Sequence, residues 1–423
     1  MPTPTIKLQS PFIHKLLMPN LSQKLVISYL RKLETGTLTL VDQGEKRVFH
    51  GTHPAPPGQQ LDATLIVESP RFYTRLLSGG SIGMGEAFAA GDWSTPDLIA
   101  VIRLMARNMA LVNHAEGYLA RLAKPFLKWF HFSNENTHQG SRRNILAHYD
   151  LGNDFFKLFL DTNLMYSSAI FEHPDSTLDA AAKYKLDVIC RKLKLNPQDH
   201  VLEIGTGWGG FALHAAKYYG CKVTTTTISD AQFKLASERV QAAGLENQIT
   251  LLKQDYRALT GNFDKLVSIE MIEAVGWKYY DTFFQACARL LKPEGVMLLQ
   301  AITIPEQRYE QARKSVDFIQ RYIFPGSCIP SIQALLKAAT NASELRMVHQ
   351  EDFARHYAKT LQAWLNRFNE HSAHMDQMGY DIRFKRLWTF YLCYCAGGFF
   401  ERAIGVSHLI FSKPHHANEP LFI

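Results

Sequence analysis

Little in this chain is arranged to cross-link or to hold a metal. Its six cysteines, Cys190, Cys221, Cys287, Cys328, Cys393 and Cys395, form no CxxC pair, and none stands with a histidine at zinc spacing. They read as reduced thiols, mostly buried, in a cytosolic protein, and no metal site is expected. Long apolar runs are also missing. The longest lies near FYLCYCAGGFF, Phe390 to Phe400, far below the roughly 20 residues that span a bilayer. The N-terminal MPTPTIKLQSPFIHKLL has no long apolar centre and no small-residue cleavage site, so no signal peptide is expected. Any contact with a membrane is expected from the side. There is no internal repeat, no low-complexity segment and no strong charge bias. The net charge of +7 over 423 residues suits an anionic membrane or nucleic acid, but it is as common in enzymes that meet neither.

What is present is the composition of a globular protein, 46% hydrophobic and 20% charged, at a length that suggests two or three domains. LTLVDQGEKRVFHG (Leu38 to Gly51) reads as two strands around a turn at Asp42–Gly44, and ATLIVES (Ala63 to Ser69) as a third. PRFYTRLLSGG reads as a helix stopped by Gly79 and Gly80. STPDLIAVIRLMARNMALV reads as another, capped by Ser94 or Thr95 with Pro96 in its first turn. Residues 1–112 are therefore expected to form a small α+β domain. In HAEGYLARLAKPFLKWFHF (His114 to Phe132), leucines and aromatics alternate with Arg121, Lys124 and Lys128. Two readings fit: a basic helix lying on an anionic membrane, or a linker helix kinked at Pro125. The polar SNENTHQGSRRN (Ser133 to Asn144) marks a boundary, making 113–144 a linker.

From Thr177 onward strands and helices alternate. Strands are expected at His200–Ile204, Lys222–Thr227, Ile249–Gln254, Lys265–Ile269 and Gly295–Ile302. Helices are expected at Leu178–Leu193, Phe211–Tyr219, Asp230–Ala243 and Tyr279–Leu291. Such alternation gives a mostly parallel sheet with helices on both faces. Beyond about 305 the chain reads as an aromatic-rich, largely helical tail.

The first of these strands runs into VLEIGTGWGG (Val201 to Gly210). Glycines between a strand and a helix let a ligand approach the backbone closely. The dinucleotide pattern GxGxxG fails at its third glycine. An acid ending the strand, Glu203, followed by GxGxG at Gly205, Gly207 and Gly209, is instead the usual pattern of methyltransferases that bind S-adenosylmethionine.

A second block is HYDLGNDFFKLFLDTNLMYSSAIFE, His148 to Glu172. It resembles the N-terminal signature of the cyclopropane fatty acid synthases and their mycolic acid relatives. TISDAQ, QDYRAL, SIEMIEAVG, RYIFPGSCIPS, HYAKTLQAW and FKRLWTFYLCYCAGGF follow in the same order, so the resemblance covers about 145 to the C-terminus. GMGEAFAAGDW (Gly83 to Trp93) extends it less specifically. The resemblance implies a class I methyltransferase Rossmann-like α/β domain with helical insertions over 145–423. It also implies one-carbon transfer from S-adenosylmethionine to the cis double bond of unsaturated phospholipid acyl chains, giving cyclopropane fatty acids. The implied setting is cytoplasmic, peripheral on the inner membrane face, with a homodimer as one compatible assembly. Nucleic acid is not an expected partner, because the chain has no NPPY-type motif and no dense basic stripe.

The same resemblance assigns the site. Tyr166 and Ser167 would close over the methionine part of the cofactor, beside Glu203, Gly205 and Gly207. Thr227, Ile228 and Gln232 would lie at the ribose, and Asp255 would face the adenine amino group. The alkene, once methylated, becomes a cation, and a base must take a proton from the new methyl group before the ring can close. In the family this base is a bound bicarbonate, held by a Cys, a Glu, a His and a Tyr with backbone help. Glu273, Tyr357 and Ile302 match that pattern. Ser168 stands in place of the cysteine and Gln300 in place of the histidine. Ser168 is expected to donate through its N–H and its hydroxyl, and Gln300 through its amide, so the anion would be held more weakly. The departures leave two alternatives open: a C-methyltransferase making methyl- or methylene-branched chains, and a membrane-associated lipid-binding protein with a decayed site. Phe318, Tyr322, Phe324, Trp364, Phe390, Tyr391 and Tyr394 are candidates for lining an acyl tunnel, or are ordinary core.

Overall fold

The computed structural model describes residues 19–54, 59–109 and 151–417. The basic stretch 114–132, the polar loop 133–144 and His148–Asp150 lie outside the described residues. The chain divides into two compact units. The first takes the described residues before 110 together with Ser315–Ile323 and Trp364–Ala403; the second takes the rest.

In the first unit, β1 (Thr37–Asp42) and β2 (Glu45–His50) form a hairpin over Gln43 and Gly44, both at positive φ, as the two-residue turn requires. β3 (Asp62–Val67) lies parallel to β1, and the short β4 (Trp93–Ser94) pairs with β3. The helix expected to stop at Gly79 and Gly80 instead runs from Arg71 to Ala90. Gly80, at φ 51° and ψ −128°, kinks it without ending it. Most of the residues beyond the kink, Gly83 to Ala87 and Ala89, are buried, and packing overrides the local stop signal. The next helix, Leu98–Arg107, is capped by Asp97, whose side chain accepts from the Ala100 N–H at 2.9 Å. Ser94, Thr95 and Pro96 therefore precede the cap.

Two segments from beyond residue 145 join this unit because of their apolar surface. Phe318 and Phe390 are fully buried and meet edge to face at 4.7 Å, with Tyr394 stacked on Phe390. A Cβ on Gly85 would lie 2.4 Å from the Phe318 ring. The longest apolar run ends the helix Ile382–Phe400, in which Phe390, Tyr391, Leu392, Cys393, Ala396 and Phe399 are buried. No helix among the described residues is long and apolar enough to cross a membrane.

The second unit is a seven-stranded sheet in the order β10-β11-β9-β8-β5-β6-β7. Its parallel part is β5 (His200–Ile204), β6 (Lys222–Thr226), β7 (Ile249–Leu252), β8 (Phe263–Ile269) and β9 (Leu291–Thr303). Alternate residues feed two cores, as the two-residue period of a strand dictates. Leu202, Leu266, Met297 and Leu299 pack with Phe283, Phe284 and Leu335. Val201, Val267, Val296 and Leu298 pack with Leu186, Ile189, Phe211 and Val240. The tail read as largely helical contributes two strands that periodicity did not reveal. β11 (Gly405–Ser412) pairs antiparallel with β9, and β10 (Arg346–Asp352) pairs antiparallel with β11. β11 is buried along nearly its whole length, so both of its faces are enclosed and it shows no polar–apolar alternation.

Candidate active site

β5 is the point where strand order reverses, with β6 and β7 on one side and β8 and β9 on the other. Ligands of parallel α/β sheets bind in the crevice at the carboxyl ends of strands at such a point. The chain places Glu203, Gly205, Thr227, Glu270, Gln300 and Ile302 at or just beyond those ends.

The glycine turn is held from below. The Gly205 and Thr206 N–H groups both donate to the Thr226 carbonyl, at 3.2 and 3.0 Å. Thr225 donates its hydroxyl to Glu203 at 2.6 Å and also contacts the Thr206 hydroxyl at 2.6 Å. A hydroxyl has one proton to give, so Thr206 is the donor to Thr225. Glu203 therefore anchors the turn through two hydroxyls. Burial pushes its carboxyl up to about 8, against the Thr225 hydrogen bond and the charge of Lys185. Gly207 lies at φ 52°, and a Cβ built there meets no protein atom within 4 Å. Gly210 differs: a Cβ would come within 2.4 Å of the Met165 sulfur. That glycine lets the segment before Tyr166 settle on the start of the helix Gly210–Tyr219.

That segment is shaped by Asp161, which accepts from the Asn163 and Met165 N–H groups at 2.8 and 2.9 Å. Tyr166 packs against Phe156, Phe159 and Phe324. Ser167 accepts a 2.9 Å hydrogen bond from Lys185, a fully buried lysine whose pKa desolvation lowers to about 8. On the other side of the turn, Thr227 donates to Gln232 Oε1 at 2.9 Å, which leaves the Gln232 amide N–H groups to offer; Ile228 is half-buried beside them. Asp255, expected to face an adenine amino group, has both oxygens engaged by Arg257, at 2.9 and 2.6 Å, and caps the turn Tyr256–Ala258. Its Oδ1 also accepts from the Arg257 backbone N–H, at 3.0 Å. The open face above Gly207 and the Gln232 amide fit the amino acid and ribose parts of S-adenosylmethionine.

The acidic centre differs from the expected one. Ser168, Gln300 and Tyr357 do converge, but on Glu270, which motif reading passed over. Ser168 N–H and Gln300 Nε2 donate to Glu270 Oε1 at 2.9 and 2.7 Å, and Tyr357 O–H donates to Oε2 at 2.6 Å. The Ser168 hydroxyl, expected to face an anion, is turned to the Ala169 carbonyl at 2.9 Å. Burial raises the Glu270 carboxyl, while these donors and Lys185 favour its ionised form. Its backbone is left-handed, φ 49°, which costs a side-chain-bearing residue roughly 1–2 kcal/mol. Glu273 and Ile302 meet directly: the Ile302 N–H donates to Glu273 Oε1 at 2.5 Å. Glu273 Oε2 is buried without a hydrogen-bond partner among the described residues, and burial with the neighbouring Glu270 charge lifts this carboxyl to about 8. A bicarbonate does not fit the cradle as built, because the Ser168 N–H, the Gln300 amide and the Tyr357 hydroxyl already serve a carboxylate.

A buried chain fixes the orientation of Gln300. Lys192 contacts His408 Nδ1 at 3.0 Å, and His408 Nε2 contacts Gln300 Oε1 at 3.0 Å. An ammonium can only donate, so Nδ1 accepts; a neutral imidazole then carries its proton on Nε2 and donates it to the amide oxygen. Desolvation and the nearby Lys192 and Lys185 charges hold His408 neutral. The Gln300 amino group must therefore face Glu270. The helix Ala354–Glu370 clamps the other wall. His356 Nδ1 and Thr360 Oγ1, one turn apart, accept from Phe171 N–H and Ala169 N–H at 3.0 Å each. Lys185, Lys192 and His408 had no signal in the sequence. Glu270 had one: a second carboxylate three residues before Glu273, directly at the end of a strand.

The fold and the glycine turn define a class I S-adenosylmethionine-dependent methyltransferase. The chain matches the family model for mycolic acid cyclopropane synthetase over residues 136–409, and it belongs to that family. It is 38% identical to the tuberculostearic acid methyltransferase UfaA1 of Mycobacterium tuberculosis, over 79% of this chain and 80% of that one. It is equally identical, 38%, to a cyclopropane-fatty-acyl-phospholipid synthase of Escherichia coli, over 83% of this chain and 88% of the relative. Among solved structures, the mycolic acid cyclopropane synthase CmaA1 complexed with SAH and CTAB aligns with a TM-score of 0.60 at 31% identity, covering 64% of this chain and 98% of that one.

Proposed function

We propose that this enzyme transfers a one-carbon unit to the cis double bond of unsaturated phospholipid acyl chains and closes it to a cyclopropane. The observation that carries the reading is the convergence of Ser168, Gln300 and Tyr357 on one carboxylate, in the crevice beside the glycine turn. S-adenosylmethionine supplies an electrophilic sulfonium methyl, whose bonding pair stays on sulfur as the alkene π pair forms the new carbon–carbon bond. Gly205 and Gly207 admit it to the backbone, and Gln232, with Thr227 and Ile228 beside it, takes the ribose. Tyr166 and Ser167 cover its methionine part, and Asp255 lies toward the adenine amino group. Glu273, held by the Ile302 N–H, lies next to the acidic centre and keeps one oxygen for the reaction space. A carboxylate site facing a cation stabilises it electrostatically where water is excluded. Because its substrate chains lie in a bilayer, we place the enzyme peripherally on the inner face of the membrane.

A second reading has support of its own. The tuberculostearic acid methyltransferase is as similar to this chain as the cyclopropane synthase is, and a base fixed to the protein could take its proton from a chain carbon, leaving a branched product. The test is expression in a bacterium without its own cyclopropane synthase, followed by mass spectrometry and proton NMR of the fatty acid methyl esters. Upfield ring protons support cyclopropane formation. Branched chains without them support the second reading, and unaltered lipids contradict both.

A further inference from the structure

Three donors that the family resemblance assigns to a bound bicarbonate are directed at a side chain of this protein. We propose that Glu270 is itself the base of the reaction, a catalytic residue that replaces a bound bicarbonate, and that the enzyme turns over without that ion. This assignment rests on the one-carbon transfer proposed above.

The geometry supports it from several directions. Both Glu270 oxygens are held, Oε1 by the Ser168 N–H and the Gln300 amide and Oε2 by the Tyr357 hydroxyl. A second anion in this cradle would find its donors taken and would face a like charge. The backbone holds Glu270 in the left-handed region at φ 49°, and strain of this kind persists where the surroundings over-determine it, typically at functional sites. The residue keeps partial exposure at the end of β8, unlike the fully buried Gln300. The chain from Lys192 through His408 locks the Gln300 amide so that its N–H faces the carboxylate.

The two departures in the sequence now belong with Glu270 as one set. Capturing a free anion from solution favours charge-assisted donors. A carboxylate tethered to the chain is already in place, and neutral donors suffice to aim it. Ser168 and Gln300 are neutral donors. Once the alkene carries the new methyl group, its neighbouring carbon is a cation. Glu270 takes a proton from that methyl group, and the freed C–H pair forms the bond that closes the ring. The cation is neutralised, the proton resides on a Glu270 oxygen, and solvent receives it before the next turnover.

The test has two arms on the full-length enzyme. The first needs no acyl substrate: isotope-labelled bicarbonate is titrated into the protein at millimolar concentration and followed by NMR. Wild type should show no saturable binding, and Glu270→Gly, which empties the cradle, should acquire it. Saturable binding to wild type that Tyr357→Phe weakens would overturn the assignment. The second arm measures turnover on vesicles of cis-unsaturated phospholipid in carbon dioxide-depleted buffer. Wild type should keep its rate, unchanged by added bicarbonate. Glu270→Gln should lose roughly a hundredfold to ten-thousandfold, the range of general-base catalysis, while binding S-adenosylmethionine normally by calorimetry. A wild type that requires bicarbonate, or a Glu270→Gln variant at full rate, would overturn it. Failure of the functional reading looks different, since wild type would then alter no lipid while the bicarbonate titration still reports on Glu270.

Discussion

Replacing Tyr357 by phenylalanine removes one atom from the site and probes how Glu270 is held. The Tyr357 hydroxyl donates to Glu270 Oε2 at 2.6 Å, and no other donor to that oxygen is recorded among the described residues. Phenylalanine keeps the ring, so packing is preserved. A hydrogen bond to a charged group contributes about 1.5–3 kcal/mol. Each pKa unit corresponds to about 1.4 kcal/mol, so the loss should raise the Glu270 pKa by roughly one to two units. The direction follows from the bond's action: it favours the ionised carboxylate, and without it protonation is easier. A protonated Glu270 cannot accept the methyl proton. The acid limb of the pH–rate profile should therefore move to higher pH by about one to two units, with S-adenosylmethionine affinity unchanged. The assay is release of S-adenosylhomocysteine on cis-unsaturated phospholipid vesicles across pH, with calorimetry for cofactor binding. An acid limb that stays in place, or a variant that loses cofactor binding and not rate, would refute the reasoning.

Other outcomes follow from neighbouring groups. Lys185→Met removes a buried charge that favours ionised Glu270 and Glu203 and frees Ser167 from its anchor; turnover should fall at least about tenfold, as for loss of one buried charge-assisted contact. In wild type the same support should fade above the lysine's pKa of about 8, which a rate profile extended into alkali would reveal. Glu273 binds its proton up to about 8 in the folded state but only to about 4.3 unfolded. Stability should then fall as pH rises through that window, and Glu273→Gln should raise the melting temperature near pH 8 but not near pH 5. Gly207→Ala forces a Cβ into the open face at φ 52° and should weaken S-adenosylmethionine binding more than about tenfold. Gly44→Ala, at φ 82° with equally open space in the hairpin of the first unit, should cost similar stability and leave binding alone.

Much of the sheet was legible because its strands and helices alternate with turn signals between them. β11 was not, since GVSHLIFS is buried on both faces and shows no period of two. Gly80 shows the limit of local rules: its conformation does break the helix, yet buried residues such as Met84 and Ala87 carry it onward. The cofactor turn could be read from its glycines because their φ values and close approaches are backbone properties. The acidic centre could only be half read. Motifs named Ser168, Gln300 and Tyr357, but their meeting point is a side chain from another strand, and which carboxylate they serve is a property of tertiary geometry. The same holds for Lys192 and His408, 216 positions apart in sequence and brought together only where the helix Leu178–Lys192 meets β11. A decayed site is hard to reconcile with this arrangement: a strained, largely desolvated carboxylate held by three donors is costly to keep without a use.

The central claim, methyl transfer to an alkene followed by loss of a methyl proton, is tested most directly by isotope. The enzyme is given S-adenosylmethionine bearing a fully deuterated methyl group and vesicles of cis-unsaturated phospholipid, and the product chains are analysed by mass spectrometry and NMR. The account predicts a cyclopropane ring whose new carbon keeps two of the three deuterons, the third having left through the base. A product that retains all three as an intact methyl group, or lipids that carry no deuterium, would contradict it.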